Sequence, residues 1–520
     1  EMNAIELKLF SSRVSGICDE MGLVLRRTAF SPNIKDRLDF SCALFSADGE
    51  LFAQAAHIPV HLGSMAFAMK SIIGALQWQM GDTLILNDPY LGGTHLPDVT
   101  LVSAVFDLDG NSIQGFVVNR AHHADIDCDS PGSMPVSSSI DEEGLLIPPT
   151  LLIRNGEIQQ QAQTLLSLET KELTGDFAAQ AGANQLGVQR LQSLIFRMGE
   201  EQYPSGLKEL NNYGDRIAAA VIAGIKPGSY KFTDFLDDDG QGTTQIKLTV
   251  AIEVSAEELV LDFEGCSEQV AGNMNCPESV AAAAVFYCFR CLMPAEAPAC
   301  AGLFGRFKLK TRSGSIVNAR RPAAVAAGNV ETSMRLVDLV FGALAKAMPE
   351  RIPAASQGTM NNVAMGNIDE QRGTRWDYYE TLAGGIGASP KASGLDACHS
   401  HMTNTLNTPV ESLEMHYPLR VRNYSIRKQS GGQGLYRGGN GLQREYEFLE
   451  SAQVSILSER RSNSPWGLHG GQDAKQGVNF LNGEPLSAKC SFKVNPGDRL
   501  LLATPGGGGW GEETPANAGS

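Results

Sequence analysis

The Asp109-Gly110 pair constrains this chain more tightly than any other feature, because it fixes which residues of two strands must face each other. Val99–Phe106 and Ile113–Arg120 are β-rich runs on either side of it, and Asp-Gly between such runs signals a hairpin. In an antiparallel hairpin the position numbers of facing residues share a constant sum, here about 220. Asp98, just before the first strand, therefore faces His122, just after the second. His95 lies three residues before Asp98, past a bend that Gly92 and Gly93 permit. One carboxylate and two imidazoles thus converge whatever the global fold. They belong to a wider crowd, since His57, His61, His95, His122 and His123 make five of the nine histidines.

Imidazole with carboxylate suits Zn, Mn or Fe, and a site with few protein ligands keeps positions open for water or substrate. The same residues also admit a structural reading, as histidines that cap loops and hydrogen-bond carboxylates. His122 and His123 project to opposite faces of a continuing strand, and the register favours His122. Asp39, at the start of another strand, is a candidate fourth ligand that spacing alone does not bring in. His57 and His61 are four apart, but Pro59 between them argues against a regular helix. They are expected in a loop, or as support for the ligands.

The net charge of −16 and the absence of a Lys/Arg-rich stretch argue against nucleic-acid or anionic-membrane binding. The longest apolar run, Val280 to Tyr287, is far short of a membrane span, and Glu1 to Phe10 lacks the pattern of a secretory signal. Ten scattered cysteines, with Cys288 and Cys291 the one C-x-x-C, read as buried thiols in a cytoplasmic protein.

Phe10, Val14, Ile17, Met21 and Val24 predict a first helix with Asn3 and Glu6 as its capping box. A hairpin Phe40–Phe45 with Leu51–Ala55, a helix from Ser64 to about Met80 and a strand Thr83–Leu86 follow. Residues 160 to 225 look helical, with a break near Tyr203-Pro204-Ser205-Gly206. Strands are expected over 228–264 and helices near 277–292 and 330–347. The fold class is α+β: a large, mixed, multi-lobed subunit with antiparallel hairpins around a metal site and a β-rich C-terminal region. The expected regions are 1–155 around the metal site, a helical segment 156–226, a central α+β region 227–408, and a Gly-rich region 409–520.

Longer motifs surround the histidines. Asp39-Phe40-Ser41-Cys42-Ala43-Leu44-Phe45, His57-Ile58-Pro59-Val60-His61-Leu62-Gly63-Ser64-Met65 and Asn87-Asp88-Pro89-Tyr90 come first. Gly92-Gly93-Thr94-His95-Leu96-Pro97-Asp98 and Asn119-Arg120-Ala121-His122-His123-Ala124-Asp125 follow. With Gly328-Asn329-Val330-Glu331-Thr332, Tyr378-Tyr379-Glu380-Thr381, His401-Met402-Thr403-Asn404-Thr405 and Thr504-Pro505-Gly506-Gly507-Gly508-Gly509, they cover nearly the whole chain. The sequence resembles the B-type chain of the hydantoinase/5-oxoprolinase family, whose relatives include ATP-dependent lactamases and acetone and acetophenone carboxylases.

That resemblance implies a division of labour. A separate A-type chain with an actin-like ATPase fold would bind ATP with Mg and phosphorylate the substrate, and the B-type chain would hold the metal centre, in a hetero-oligomer. This chain has no Gly-x-x-x-x-Gly-Lys-Ser/Thr loop, in keeping with that role. The resemblance implies Asp39, His95, Asp98 and His122 as ligands of a divalent Zn, Mn or Fe. His123 and Asp125 stand beside them as catalytic candidates, in reserve as groups that orient the ligands or as alternate ligands. The expected reaction is opening of a 5-oxoproline, hydantoin or lactam ring, with ATP-dependent ketone carboxylation as the alternative. One departure stands out: Asp127 and Cys128 replace two glycines usual in the family, which is expected to reshape the pocket.

Other motifs read as architecture. Asp237-Asp238-Asp239-Gly240 lacks the oxygen spacing of a calcium loop and reads as a turn. His399 and His401 beside Cys398 read first as a structural loop, with contact to substrate or to the A-type chain as the alternative. Glu411 and Glu414 read as a solvated helix turn rather than a general base, and Thr504–Gly509 as a site of close backbone packing.

Overall fold

The computed structural model describes residues 2–369 and 374–513. Helix α1 spans Ala4–Thr28, and Asn3 caps it by accepting the N–H groups of Ile5 and Glu6 while Glu6 reaches back to Asn3. Phe10, Val14, Ile17 and Met21 form its buried stripe, which packs with the long helix Gly175–Ala223.

Seven antiparallel strands position the histidines: β1 (Phe40–Ser46), β2 (Leu51–Ala56), β3 (Thr83–Leu86), β4 (Asp98–Phe106), β5 (Ile113–His122), β6 (Thr150–Arg154) and β7 (Glu157–Ile158). Their order is β2-β1-β5-β4-β3-β6-β7. The expected register holds along β4 and β5, with Asp98 facing His122 and a shift only near Val105/Phe106, next to the turn. Among the described residues three further sheets have four, four and five strands. The molecule is α+β and multi-lobed, as the sequence indicates, with antiparallel pairing dominant. No helix among the described residues is long and apolar enough to cross a membrane.

Three elements depart from expectation. The helix after β2 is Pro59–Ile73 instead of Ser64 to Met80, because Pro59 occupies its first turn, where a missing N–H costs nothing. Gly63 lets it close on helix Glu278–Arg290: a Cβ there would sit 2.7 Å from the Ala283 Cα. The long helix breaks at Gly199 (φ 81°, ψ 171°), ahead of the expected Tyr203–Gly206, since glycine alone takes that conformation freely and Pro204 then falls near the start of the resumed helix. The hairpin Asn362–Asp369/Thr374–Thr381 was not expected at all, and it pairs with Ala452–Leu457, so strands from either side of position 409 share one sheet.

Asp239 and Gly240 open the turn between Gly228–Asp238 and Thr244–Val254, whereas Asp237 and Asp238 end the first strand, and the Asp237 carboxylate accepts the backbone N–H groups of Arg461, Ser462 and Asn463. All ten cysteines are free thiols.

Candidate metal centre

Three neighbouring strand ends build the site. Asp39 precedes β1, His122 closes β5 and Asp98 opens β4. The His122 N–H donates to the Asp39 carbonyl at 3.0 Å, so Asp39 and Asp98 flank His122 on its two sides. The loop before β4 returns His95 over this row, with Nε2 3.2 Å from Asp98 Oδ2. One ligand atom from each of His95, Asp98 and His122 can be chosen so that all lie within 4.8 Å of one another, and all three residues are buried. Asp39 lines the same small cavity. That cavity, of about 20 Å³, takes one ion or water rather than a substrate ring.

Hydrogen-bond accounting favours an ion. Nδ1 of His95, Nε2 of His122 and Oδ1 of Asp98 are buried without a hydrogen-bond partner, and His95 Nε2 has only its 3.2 Å contact with Asp98; orphaned buried polar atoms are rare in folded proteins. Other contacts hold the candidate ligands in place: Thr94 Oγ1 donates to Asp98 Oδ2 at 2.8 Å, and Asn33 Nδ2 lies 3.0 Å from His122 Nδ1. Burial drives His122 well below the usual histidine range, which keeps it neutral, as a ligand must be. Burial opposes the Asp98 charge as well, but His95 and His61 overcome it and hold the carboxyl well below its usual range. Asp39 is shifted upward by burial, against the opposing Arg37.

His61 takes the supporting place beside Asp98 that the sequence allows it, but from a helix and not from a loop. Its Nε2 lies 3.4 Å from Asp98 Oδ2 and its Nδ1 3.1 Å from Ser41 Oγ. It occupies the first turn of the helix that Pro59 opens, so the proline read as a breaker in fact delivers the histidine. His57 instead packs edge-on against Phe40.

His123 and Asp125 are not brought to the cluster. His123 Nε2 lies 2.8 Å from Gln180 Oε1 and its ring packs on Phe177, on the long helix, as strand alternation requires. Asp125 is exposed and pairs with Arg375 at 3.3 Å. Asp127 and Cys128 do not line the small cavity. Asp127 has φ 59°, the left-handed conformation that glycine favours and aspartate tolerates, and the buried Cys128 thiol donates to the Glu142 carbonyl at 3.4 Å.

Further groups were not legible beforehand. His401 Nδ1 lies 3.2 Å from the Tyr287 hydroxyl and its Nε2 3.4 Å from Asp338, whereas Thr403 and Thr405 of the same segment line the cavity. Glu143, fully buried, accepts from Ser137 Oγ and from the N–H groups of Val325 and Ala326. Burial pushes its carboxyl up to about 7 from an ordinary 4.5. The folded state therefore binds this proton more tightly than the unfolded one. Its contribution is fully present below about pH 4.5 and is lost as pH rises through about 7. Glu143→Gln, which imitates the neutral acid, is expected to gain thermal stability over the parent as pH rises from about 5 to about 8. A difference in melting temperature that does not change with pH would refute this.

An α+β fold that buries unpartnered His and Asp atoms in one ion-sized cavity defines a candidate metalloprotein. Residues 3–513 match the family described as Hydantoinase B/oxoprolinase, and the chain belongs to it. It is 38% identical over 531 residues to a 5-oxoprolinase of Dictyostelium discoideum, covering 99% of this chain and 41% of that protein. This chain thus spans about two fifths of that relative's length. A putative B-type chain of a D-/L-hydantoinase from Pseudomonas sp. (strain NS671) is 28% identical, covering 98% of this chain and 90% of that one. The crystal structure of an ATP-dependent caprolactamase from Pseudomonas jessenii superposes with a TM-score of 0.90 at 27% identity, covering 98% and 91% of the two chains.

Proposed function

We propose that this chain is the metal-site subunit of an ATP-dependent cyclic amidase that opens a 5-oxoproline, hydantoin or related lactam ring. Family membership and the names of its relatives support the reaction class. The observation that carries the assignment to this chain is the convergence of unpartnered ligand atoms from His95, Asp98 and His122. Asp39 is proposed as the fourth ligand, and a divalent Zn, Mn or Fe held there would supply Lewis acidity that brings the pKa of a water toward neutrality.

The protein's own groups do the rest. Asp98 fixes His95 and is itself held by Thr94 and His61. His61, bridging Asp98 and Ser41, is the proposed proton-handling group, in preference to His123 and Asp125, whose contacts lead elsewhere. Amide resonance protects a lactam from direct attack, so an ATP-binding A-type chain would activate the amide oxygen by phosphorylation. A hetero-oligomer with that chain, working in the cytoplasm, completes the proposal.

The test is phosphate release from ATP by this chain with an A-type partner and by each chain alone. The panel holds 5-oxoproline, hydantoins, simple lactams, and ketones with bicarbonate. Release stimulated by one cyclic amide, with both chains present, is the expected result. Release stimulated only by ketone with bicarbonate would make this part of a carboxylase and overturn the proposal.

A further inference from the structure

Behind His122 a buried carboxyl connects to the cluster by one continuous path. Residues Gly328–Thr332 form a π-helical turn, an arrangement frequent at functional sites, and Glu331 on it is fully buried. Glu331 Oε1 accepts the Met360 N–H at 2.9 Å and Asn362 Nδ2 at 2.7 Å, and Oε2 has no partner. Asn362 Oδ1 accepts the Tyr379 hydroxyl at 2.6 Å. The Tyr379 ring lies parallel to the His122 imidazole, with 5.0 Å between centroids and 3° between planes. The hydroxyl is rigidly part of the ring that stacks on His122, so the bond to Asn362 also fixes where that ring lies.

We propose that Glu331, Asn362 and Tyr379 form a positioning chain that sets the ring plane of His122 and so tunes the metal centre. The inference rests on the metal reading above and adds Glu331 and Asn362, which lie behind the cavity, and Tyr379, which lines it. His122 is restrained from two directions, by Asn33 at Nδ1 and by Tyr379 across its face. Supporting groups of this kind orient ligands and govern affinity. Burial pushes the Glu331 carboxyl up to about 8, so the neutral acid predominates near pH 7, and glutamine imitates it with the same accepting oxygen.

The probe is Co(II), titrated into the whole chain and followed by its visible absorption. Glu331→Gln is expected to bind Co(II) within about threefold of the parent with the same band positions. Glu331→Ala and Tyr379→Phe are expected to weaken binding by about tenfold or more and to shift the bands. In the double variant the losses are not additive, since both single changes break one path. Parental affinity and spectrum in Glu331→Ala and Tyr379→Phe, with only the melting temperature lowered, would overturn the chain as a positioning device. Should Glu331→Ala fail to fold, Tyr379→Phe against Glu331→Gln decides the question alone. Failure of the parent itself to bind Co(II) would overturn the metal reading, an outcome distinct from unaltered binding in the variants.

Discussion

Under the proposed function, replacing His95 with alanine is expected to abolish metal binding and amide-dependent ATP turnover with an A-type partner, while the chain stays folded. His95 is fully buried, its Nδ1 lacks a partner and its Nε2 meets only Asp98, and it contributes one of three converging candidate ligand atoms. Loss of a supporting group alone costs metal sites about 10–100-fold in affinity, so loss of a ligand is expected to cost at least about a hundredfold. The fold has less at stake. Asp98 keeps its bond from Thr94 and its contact with His61, and the strand register that makes the site does not depend on the imidazole. The stability cost is expected to be about 1–3 kcal/mol, mainly from an aspartate with one partner fewer. Metal analysis, turnover and thermal denaturation of the same preparation check all three parts. Full turnover by a metal-free variant would sink the account.

The second large effect is architectural. Gly438→Ala is expected to cost roughly 3 kcal/mol or more, at the upper end for overpacking, because its Cβ would fall 1.8 Å from the Gly507 carbonyl oxygen. The obstacle is backbone, so no side chain can swing aside. The same close packing recurs nearby: Gly506 faces the Ser430 carbonyl and Gly508 that of Trp466. Gly182→Ala supplies the contrast, since this glycine lies in the long helix with nothing within 4 Å of the added carbon. It should stabilise by about 0.5–1 kcal/mol. Denaturant midpoints measured side by side test both, and equal midpoints for Gly438→Ala and the parent would refute the packing argument.

These two sites also show what the sequence can and cannot convey. Asp109-Gly110 sets a register by local turn chemistry, and a period of two carries it outward to Asp98 and His122. The glycines of Thr504–Gly509 likewise announce close approach, although which carbonyls approach is a tertiary matter. The helical setting of His61 is not legible because proline in a helix interior and proline in a first turn look alike without the helix boundary. Strand Asn362–Asp369 shows no clean alternation: Val363, Ala364 and Met365 are all buried in succession, which periodicity cannot distinguish from a buried helix. The path from Glu331 to Tyr379 joins residues almost fifty positions apart, and no local pattern encodes such a pairing.

His95, Asp98 and His122 are proposed to hold a divalent ion with Asp39 beside them, and everything else in the proposed function depends on that ion. The most direct test is the metal content of the chain purified without chelator, followed by titration of the stripped protein with Zn, Mn and Fe. One tightly held ion per chain, lost in His95→Ala and in Asp98→Ala, is the predicted result. A correctly folded chain that neither retains nor takes up any of the three would contradict it.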